Sequence, residues 1–464
     1  MEDILNAKID EYFDEMVKDL QEFIKIPSVL DETNACEGYP FGIKIGEALK
    51  WILKKGDNLG LKTKNLDGYA GYIEIGSGQE MVGILSHIDV VPPGAGWSVD
   101  PFGGEIKDGK IYGRGSIDDK GPALAVLYAL KAIKESNLPV TKRARLIIGT
   151  DEETGARCIR YYLEKEEMPV YGFSPDAEFP IIHAEKGILR FTLVKDFDAR
   201  SRSGVNLKRV RGGTRVNIVP DEAEALIEGI TLEKLAEKIE ERLKEKLKVE
   251  ETPEGIVIKA KGISAHASYP EDGENAIQIL FNFLSQIDFG GREAKEFINS
   301  LVAKLNMEVD GRTLGVSCSD EISGTLTINL GVADFDENRG VLKFDIRYPV
   351  TVDGNEIIEK LKKAFEDLGV EFLVDQHKLP LYVEADKDFI RKLQHVYKEM
   401  TGEEPRLLSI GGGTYCRYVK NTVSFGPVFP GQKELAHQKD EYISLDDFRR
   451  IAKIYVQAIY ELIK

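Results

Sequence analysis

The chain holds only six histidines: His87, His183, His266, His377, His395 and His437. His87 stands out because Asp89 follows two residues later. At the end of a strand, a carboxylate at that spacing can accept the ring's second N–H and fix its tautomer. Asp118–Asp119 follows the glycine-flanked Gly113–Arg114–Gly115. A carboxylate there can bridge two cations, and the same pair makes a good helix N-cap. Spacing alone does not choose which aspartate would bridge. Glu152–Glu153 is a third pair. Adjacent side chains at a strand end diverge, so one can ligate metal while the other faces a substrate. Taken alone, an acidic first helical turn is the stronger reading. Asp176 reads as a further ligand or as a turn residue after Pro175, and His437 comes from the far end of the chain. Two histidines and three carboxylates suit two zinc ions, and manganese or cobalt would also be accepted. Two metals sharing a carboxylate at ~3.5–4 Å clamp a water and polarise a carbonyl.

Those side chains need a scaffold that gathers them. The run Met81 to Leu85 is apolar throughout, as in a strand covered on both faces. Ala144 to Ile148 and Val170 to Phe173 are further short apolar strands. Between them lie helical patterns: 3–25, 43–53, the Ala/Leu-rich stretch after Pro122, and a segment reaching about Lys165. Strands alternating with helices predict an α/β fold with a mainly parallel sheet flanked by helices. His87, Glu152–Glu153 and Asp176 each follow the C-terminal end of a strand, where ligands bind in open α/β sheets.

Near Gly187 the pattern changes. Residues 187–380 carry longer polar strands (188–194, 215–228, 255–261, 325–332, 341–348) and charged helices (232–248, 356–368). They predict an inserted α+β lid domain. The catalytic domain would then be discontinuous, 1–186 and 381–464. Its last part holds a helix over 387–400, a strand over 422–425 that returns His437 to the crevice, and a helix over 445–462.

Composition narrows the function. With 464 residues, one core is too few. A formal charge of -17 argues against nucleic acid or an anionic membrane and favours a cationic ligand. The four cysteines are widely separated and form no CxxC pair. No basic, apolar leader opens the sequence, and no run approaches the ~20 apolar residues of a membrane span. A reducing cytoplasm is the expected compartment.

The motifs SHIDVVP, YGRGSIDDKGP, GTDEETG, SPDAEFP and AHQKDEYI, in that order, resemble the di-zinc aminoacylase/carboxypeptidase-like metallopeptidases. Within these, the chain is most similar to the dipeptidase V branch (Xaa-His dipeptidase, carnosinase-type). The resemblance covers essentially the whole chain. It implies that His87 and Asp176 hold one zinc, that Glu153 and His437 hold the other, and that Asp118 bridges them before a cis peptide bond. It makes Asp89 the orienter of His87 and Glu152 the general base. It assigns His266 of the lid to the oxyanion, and Asn217, Arg347, Gly412 and Gly413 to the substrate, with Arg347 and the glycines on its carboxylate. His183, His377 and His395 match no motif and read as structural. The long lid implies a monomer in which the lid replaces a dimer partner. The expected activity is hydrolysis of unblocked dipeptides. The alternatives are an N-acyl amino-acid deacylase of the acetylornithine or succinyl-diaminopimelate type, and a non-catalytic metal- or peptide-binding relative.

Overall fold

The computed structural model describes residues 2–197, 204–290 and 292–464. They form two compact units. The first comprises the residues up to Ala184 together with Tyr382–Leu408 and Gly413–Lys464; the second comprises Glu185–Leu381 and Ser409–Gly412.

In the first unit the strands Arg143–Gly149, Met81–His87, Tyr171–Ser174 and Thr422–Ser424 lie side by side in that order, all parallel. Antiparallel strands flank them: Ala70–Ile75 and Lys62–Leu66 on one side, Ile181–Glu185 on the other. All seven residues of Met81–His87 are buried, as its unbroken apolar run requires. His87 pairs with Gly149, so these two strands end level with one another. The chain leaves both at the same edge of the sheet, and the chemistry-bearing loops gather there.

The helix Lys120–Ser136 starts from this edge. Its Ala/Leu-rich sequence has high helix propensity, Pro122 sits in its first turn, and Asn137 ends it in a left-handed cap at φ 54°. It is apolar on nearly every face because Glu2–Ile24 and Leu445–Ile463 pack on it, with the strands Met81–His87 and Arg143–Gly149 on the other side.

The second unit is built on an eight-stranded antiparallel sheet. Its order is Leu247–Thr252, Gly255–Lys261, Glu222–Glu228, Asn206–Gly212, Thr327–Asp336, Arg339–Tyr348, Gly187–Asp196, Glu371–Lys378. The apolar helix Ala276–Leu284 packs on Glu222–Glu228 and Gly255–Lys261. The architecture is therefore a mostly parallel α/β sheet flanked by helices, with a separate antiparallel α+β unit inserted in the chain.

Two of the elements expected in the second unit come out differently. The expected helix over 232–248 stops after Leu232–Ala236, and Leu247–Thr252 is a strand. Thr252 pairs with Gly255 across a two-residue Pro253–Glu254 turn, so local turn chemistry wins over the helical recurrence of Leu235, Ile239 and Leu243. The expected strand over 215–228 is broken into Ile218–Val219 and Glu222–Glu228 at Pro220. Among the described residues no helix is long and apolar enough to cross a membrane.

Candidate metal centre

His87 is the last residue of its strand and is 1 % exposed. Its Nδ1–H donates to the main-chain oxygen of Asp89 at 2.9 Å. The ring is thereby held in the tautomer that leaves the Nε2 lone pair facing outward from the strand end. The Asp89 carboxylate does something else. It accepts the backbone N–H groups of Glu152 and Glu153, both at 3.1 Å, and its nearer oxygen is 3.6 Å from Nδ1. One residue thus orients the histidine through its carbonyl and anchors the Glu152–Glu153 turn through its side chain. Gly149, just before that turn, has no room for a side chain: a Cβ would lie 1.9 Å from the Tyr415 hydroxyl oxygen.

The Asp118–Asp119 peptide bond is cis. Asp119 is fully buried; it accepts the Ser86 hydroxyl and the His87 backbone N–H (3.3 Å), and makes no side-chain cap on the helix it precedes. Asp118 faces the other way. Its Oδ1 lies 2.9 Å from His87 Nε2 and its Oδ2 3.2 Å from His437 Nε2. Asp176, just past Tyr171–Ser174, puts Oδ2 3.6 Å from His87 Nε2. Glu153 puts Oε2 3.0 Å from His437 Nε2. His437 itself sits in the left-handed region at φ 63°, a conformation uncommon outside glycine.

The charge of this cluster does not close. Six carboxyl groups (Asp89, Asp118, Asp119, Glu152, Glu153, Asp176) surround two imidazoles. The buried Lys120 is turned away, donating to the Phe23 and Ile26 carbonyl oxygens at 3.1 and 2.6 Å. Burial, reinforced by the Asp176 charge, pushes the Glu152 carboxyl well above its usual range. Burial and the Asp118 charge push Glu153 up to about 7. Burial would lower both histidines, yet the surrounding carboxylates outweigh it. Asp176, Asp118 and Asp89 hold His87 well above its ordinary value, and Asp118 with Glu153 pushes His437 up to about 11. Asp118, flanked by both rings, is held low despite its burial.

Such a surplus of buried negative charge calls for cations. The spacing fits them. Ligand atoms at ~2.0–2.2 Å around a tetrahedral zinc lie ~3.3 Å from one another, and the four imidazole–carboxylate separations above run from 2.9 to 3.6 Å. Two groups of ligand atoms, each within 4.8 Å, share His87: one with Glu152 and Asp176, the other with Asp118 and Glu153. A metal would take the place of the proton that each raised imidazole otherwise carries.

The remaining candidates lie elsewhere. In the second unit Ile218–Val219 pairs with Ala265–His266, and Ala267 N–H donates to the Asn217 carbonyl oxygen at 3.0 Å. That short ladder brings Asn217 and the exposed His266 together. Arg347 is 3 % exposed, and three of its N–H groups are engaged: Nε and Nη2 with Asp345, and Nη1 with the Gly411 carbonyl oxygen at 2.6 Å. Gly412 belongs to this unit and Gly413 to the first. His183 meets the Val383 carbonyl oxygen at 2.8 Å and His377 meets the Tyr348 hydroxyl at 2.8 Å. His395 is exposed on Asp388–Thr401. Tyr415, which belongs to none of the sequence motifs, lies under Gly149, edge-on to the His87 ring, with its hydroxyl 2.8 Å from Cys158 Sγ. No motif flagged it, and the side-chain-free Gly149 was the one available signal.

Comparison with known proteins shows the family to which the chain belongs. Residues 83–461 match the family model for peptidase family M20/M25/M40. The chain is 45% identical over 457 residues to the Bacillus subtilis (strain 168) protein named "Putative dipeptidase YtjP", covering 97% of this chain and 98% of that one. Two solved structures share the fold. An M20 family metallo-carboxypeptidase from Sulfolobus solfataricus superposes with a TM-score of 0.59 at 19% identity, covering 97% of this chain and 100% of that one. Human carnosine dipeptidase 1 gives 0.59 at 16% identity, covering 99% and 98%. The chain belongs to peptidase family M20/M25/M40 and is a metallopeptidase.

Proposed function

We propose that the chain is a two-zinc dipeptidase of the dipeptidase V type, acting on dipeptides with a free amino end and a free carboxylate. The observation that carries this reading is the placement of Asp118, with one oxygen toward each of two imidazoles and with Glu153 and Asp176 completing the ring of donors. The name of the Bacillus relative, matched along nearly its whole length, supports the dipeptide as substrate. His87 and Asp176 are proposed to hold one cation, Glu153 and His437 the other, and Asp118 both.

When bound, the metal pair polarises the scissile carbonyl and acidifies a water. Glu152 removes the proton from the attacking water and hands it to the leaving amine. It lies with His87 and Asp176 in one group of candidate ligand atoms, beside the place the attacking water would take. Asp89 keeps Glu152 and Glu153 apart in their roles by holding both backbone N–H groups. His266 is proposed as the oxyanion donor, a contribution of about 3–4 kcal/mol for one such donor. Asn217, Arg347, Gly412 and Gly413 are proposed to bind substrate, with two Arg347 N–H groups beyond those engaged with Asp345 and Gly411. We further propose that one chain suffices for catalysis.

The test is metal analysis of the purified protein followed by a substrate panel on the same preparation. Ala-, β-Ala- and Xaa-His dipeptides are expected to turn over, with loss on chelation and recovery on zinc addition. Preferential hydrolysis of N-acetyl or N-succinyl amino acids would replace the dipeptidase reading with a deacylase.

A further inference from the structure

Glu441 is completely buried, yet it belongs to neither the proposed donors nor the substrate contacts. Its carboxylate fills the turn over residues 113–118. Oε1 accepts the backbone N–H groups of Gly115 (3.0 Å), Ile117 (3.0 Å) and Asp118 (3.3 Å), and Oε2 accepts Arg114 Nη1 at 2.6 Å. Its main-chain oxygen accepts the Gly113 N–H at 2.9 Å. Gly113 and Gly115 take φ of 157° and 91°, and this lets the amides of the turn converge on one oxygen. A buried carboxylate is tolerated only when its lone pairs find donors. Here three amides and a guanidinium supply them.

What the carboxylate joins is informative. The turn it fills ends on Asp118. Four residues before Glu441 in the chain is His437, whose Nε2 lies 3.2 Å from Asp118 Oδ2. The intervening stretch is itself fixed. Asp440, at φ 57°, accepts the Ser98 backbone N–H at 2.7 Å and its hydroxyl at 3.0 Å. Two segments far apart in sequence, each presenting one proposed ligand, are therefore tied together through a single side chain.

We infer that Glu441 is a positioning residue. It sets the separation between Asp118 and His437, and so the affinity for the cation that Asp118, Glu153 and His437 would share. The inference rests on the ligand reading above. It uses contacts that hold between protein groups alone, so the tie forms before any metal arrives.

The experiment compares Glu441→Asp, which keeps the charge and withdraws the carboxylate by one methylene, with Glu441→Gln and with His437→Ala. Zinc binding to metal-free protein is followed by calorimetry, and unfolding of the metal-free proteins is recorded alongside. Glu441→Asp is expected to bind zinc more weakly than wild type, by about 10- to 100-fold at the ion that Glu153 and His437 would hold, with Glu441→Gln falling between wild type and Glu441→Asp. A folded Glu441→Asp protein with wild-type affinity for both ions overturns the inference. His437→Ala separates the two ideas: if it still binds two ions normally, the ligand reading itself fails. Amide hydrogen exchange on the wild-type protein gives a measurement independent of how the variants fold. Gly115 and Ile117 are expected to stay protected in metal-free protein, and rapid exchange there would show that no preformed tie exists.

Discussion

Two buried charge clusters sit on the same sheet of the first unit, and they are solved in opposite ways. Around Glu74 the charges close. Glu74 meets Arg145 Nε at 2.7 Å, Arg143 Nη1 at 3.2 Å and Lys62 Nζ at 2.8 Å. Arg145 goes on to the Tyr162 hydroxyl at 2.9 Å and to Glu166 and Glu167, both at 3.2 Å, with its guanidinium 3.9 Å from the Tyr72 ring centroid. Each of the three carboxylates has a cation, and Lys64 adds a fourth cation at Glu166, 2.5 Å away. Although burial alone would raise it, the Glu74 carboxyl is held below its ordinary value by Lys62 and Arg145. At the strand ends, by contrast, six carboxyl groups face two imidazoles, and several of the acids are pushed up. A cluster whose charge closes within the protein is a brace. One whose charge does not close is a seat for cations. The spacing of the donors adds to that conclusion, but the unbalanced charge comes first.

The largest expected effect falls on Glu152, which belongs to the unbalanced cluster without being one of the five proposed ligands. Glu152→Ala should lower kcat by about 10²–10⁴-fold, the usual range for a lost general acid–base, while metal content stays at the wild-type level. Steady-state kinetics paired with metal analysis checks both halves. Turnover near wild type would remove Glu152 as the base, and loss of metal would move it into the ligand set, where its closeness to His87 and Asp176 already allows it.

A smaller effect distinguishes the two clusters by its sign. Glu74→Ala leaves Arg145 buried without its main partner and should destabilise the metal-free protein by about 3–5 kcal/mol. Asp176→Asn removes one negative charge from a surplus and should leave the metal-free protein as stable as wild type, or more so. Zinc reverses the order of interest: at 100 times Kd it adds about 2.7 kcal/mol to a protein that binds it in the folded state. Glu74→Ala should keep that gain and Asp176→Asn should lose much of it. Urea unfolding with and without zinc reads all four values. Equal destabilisation by both substitutions in metal-free protein would mean the strand-end charges are compensated after all.

How far the sequence revealed these clusters depended on chemistry. The strand-end site was legible because metal ligation accepts few residue types, because His87, Glu152–Glu153 and Asp176 each follow a short apolar strand, and because the motifs that hold Asp118 and His437 resemble those of a known family. The brace was not: Glu74, Arg145 and Glu167 are ordinary residues whose pairing exists only once Ala70–Ile75 and Arg143–Gly149 lie together. Within the site, spacing suggested the Asp89 carboxylate as the His87 partner. The main-chain oxygen takes that position, and a carbonyl's direction is not written in side-chain spacing. The partner of Arg347 was readable in principle, since Asp345 lies two residues before it on the same face of Arg339–Tyr348. In the second unit, Asn206–Gly212 was hidden by its own charges: NLKRVRG has no apolar alternation to mark it as a sheet strand.

The smallest expected effect is a pH dependence confined to the brace. A carboxyl group whose folded pKa lies below its unfolded value binds protons more readily when the chain is unfolded. Its contribution is therefore fully present above the unfolded value, about 4.5 for a glutamate, and is lost as pH falls through the lower, folded value. Glu74 is such a group, held down by Lys62 and Arg145. The stability gap between wild type and Glu74→Gln should accordingly be constant from pH 7 down to about 5 and then narrow as the pH falls further. Urea midpoints across that series measure it, with zinc absent so that the strand-end acids do not change their occupancy. A gap that widened on acidification would mean that Glu74 binds protons more readily in the folded chain, and the brace would then be no better balanced than the cluster it is set against.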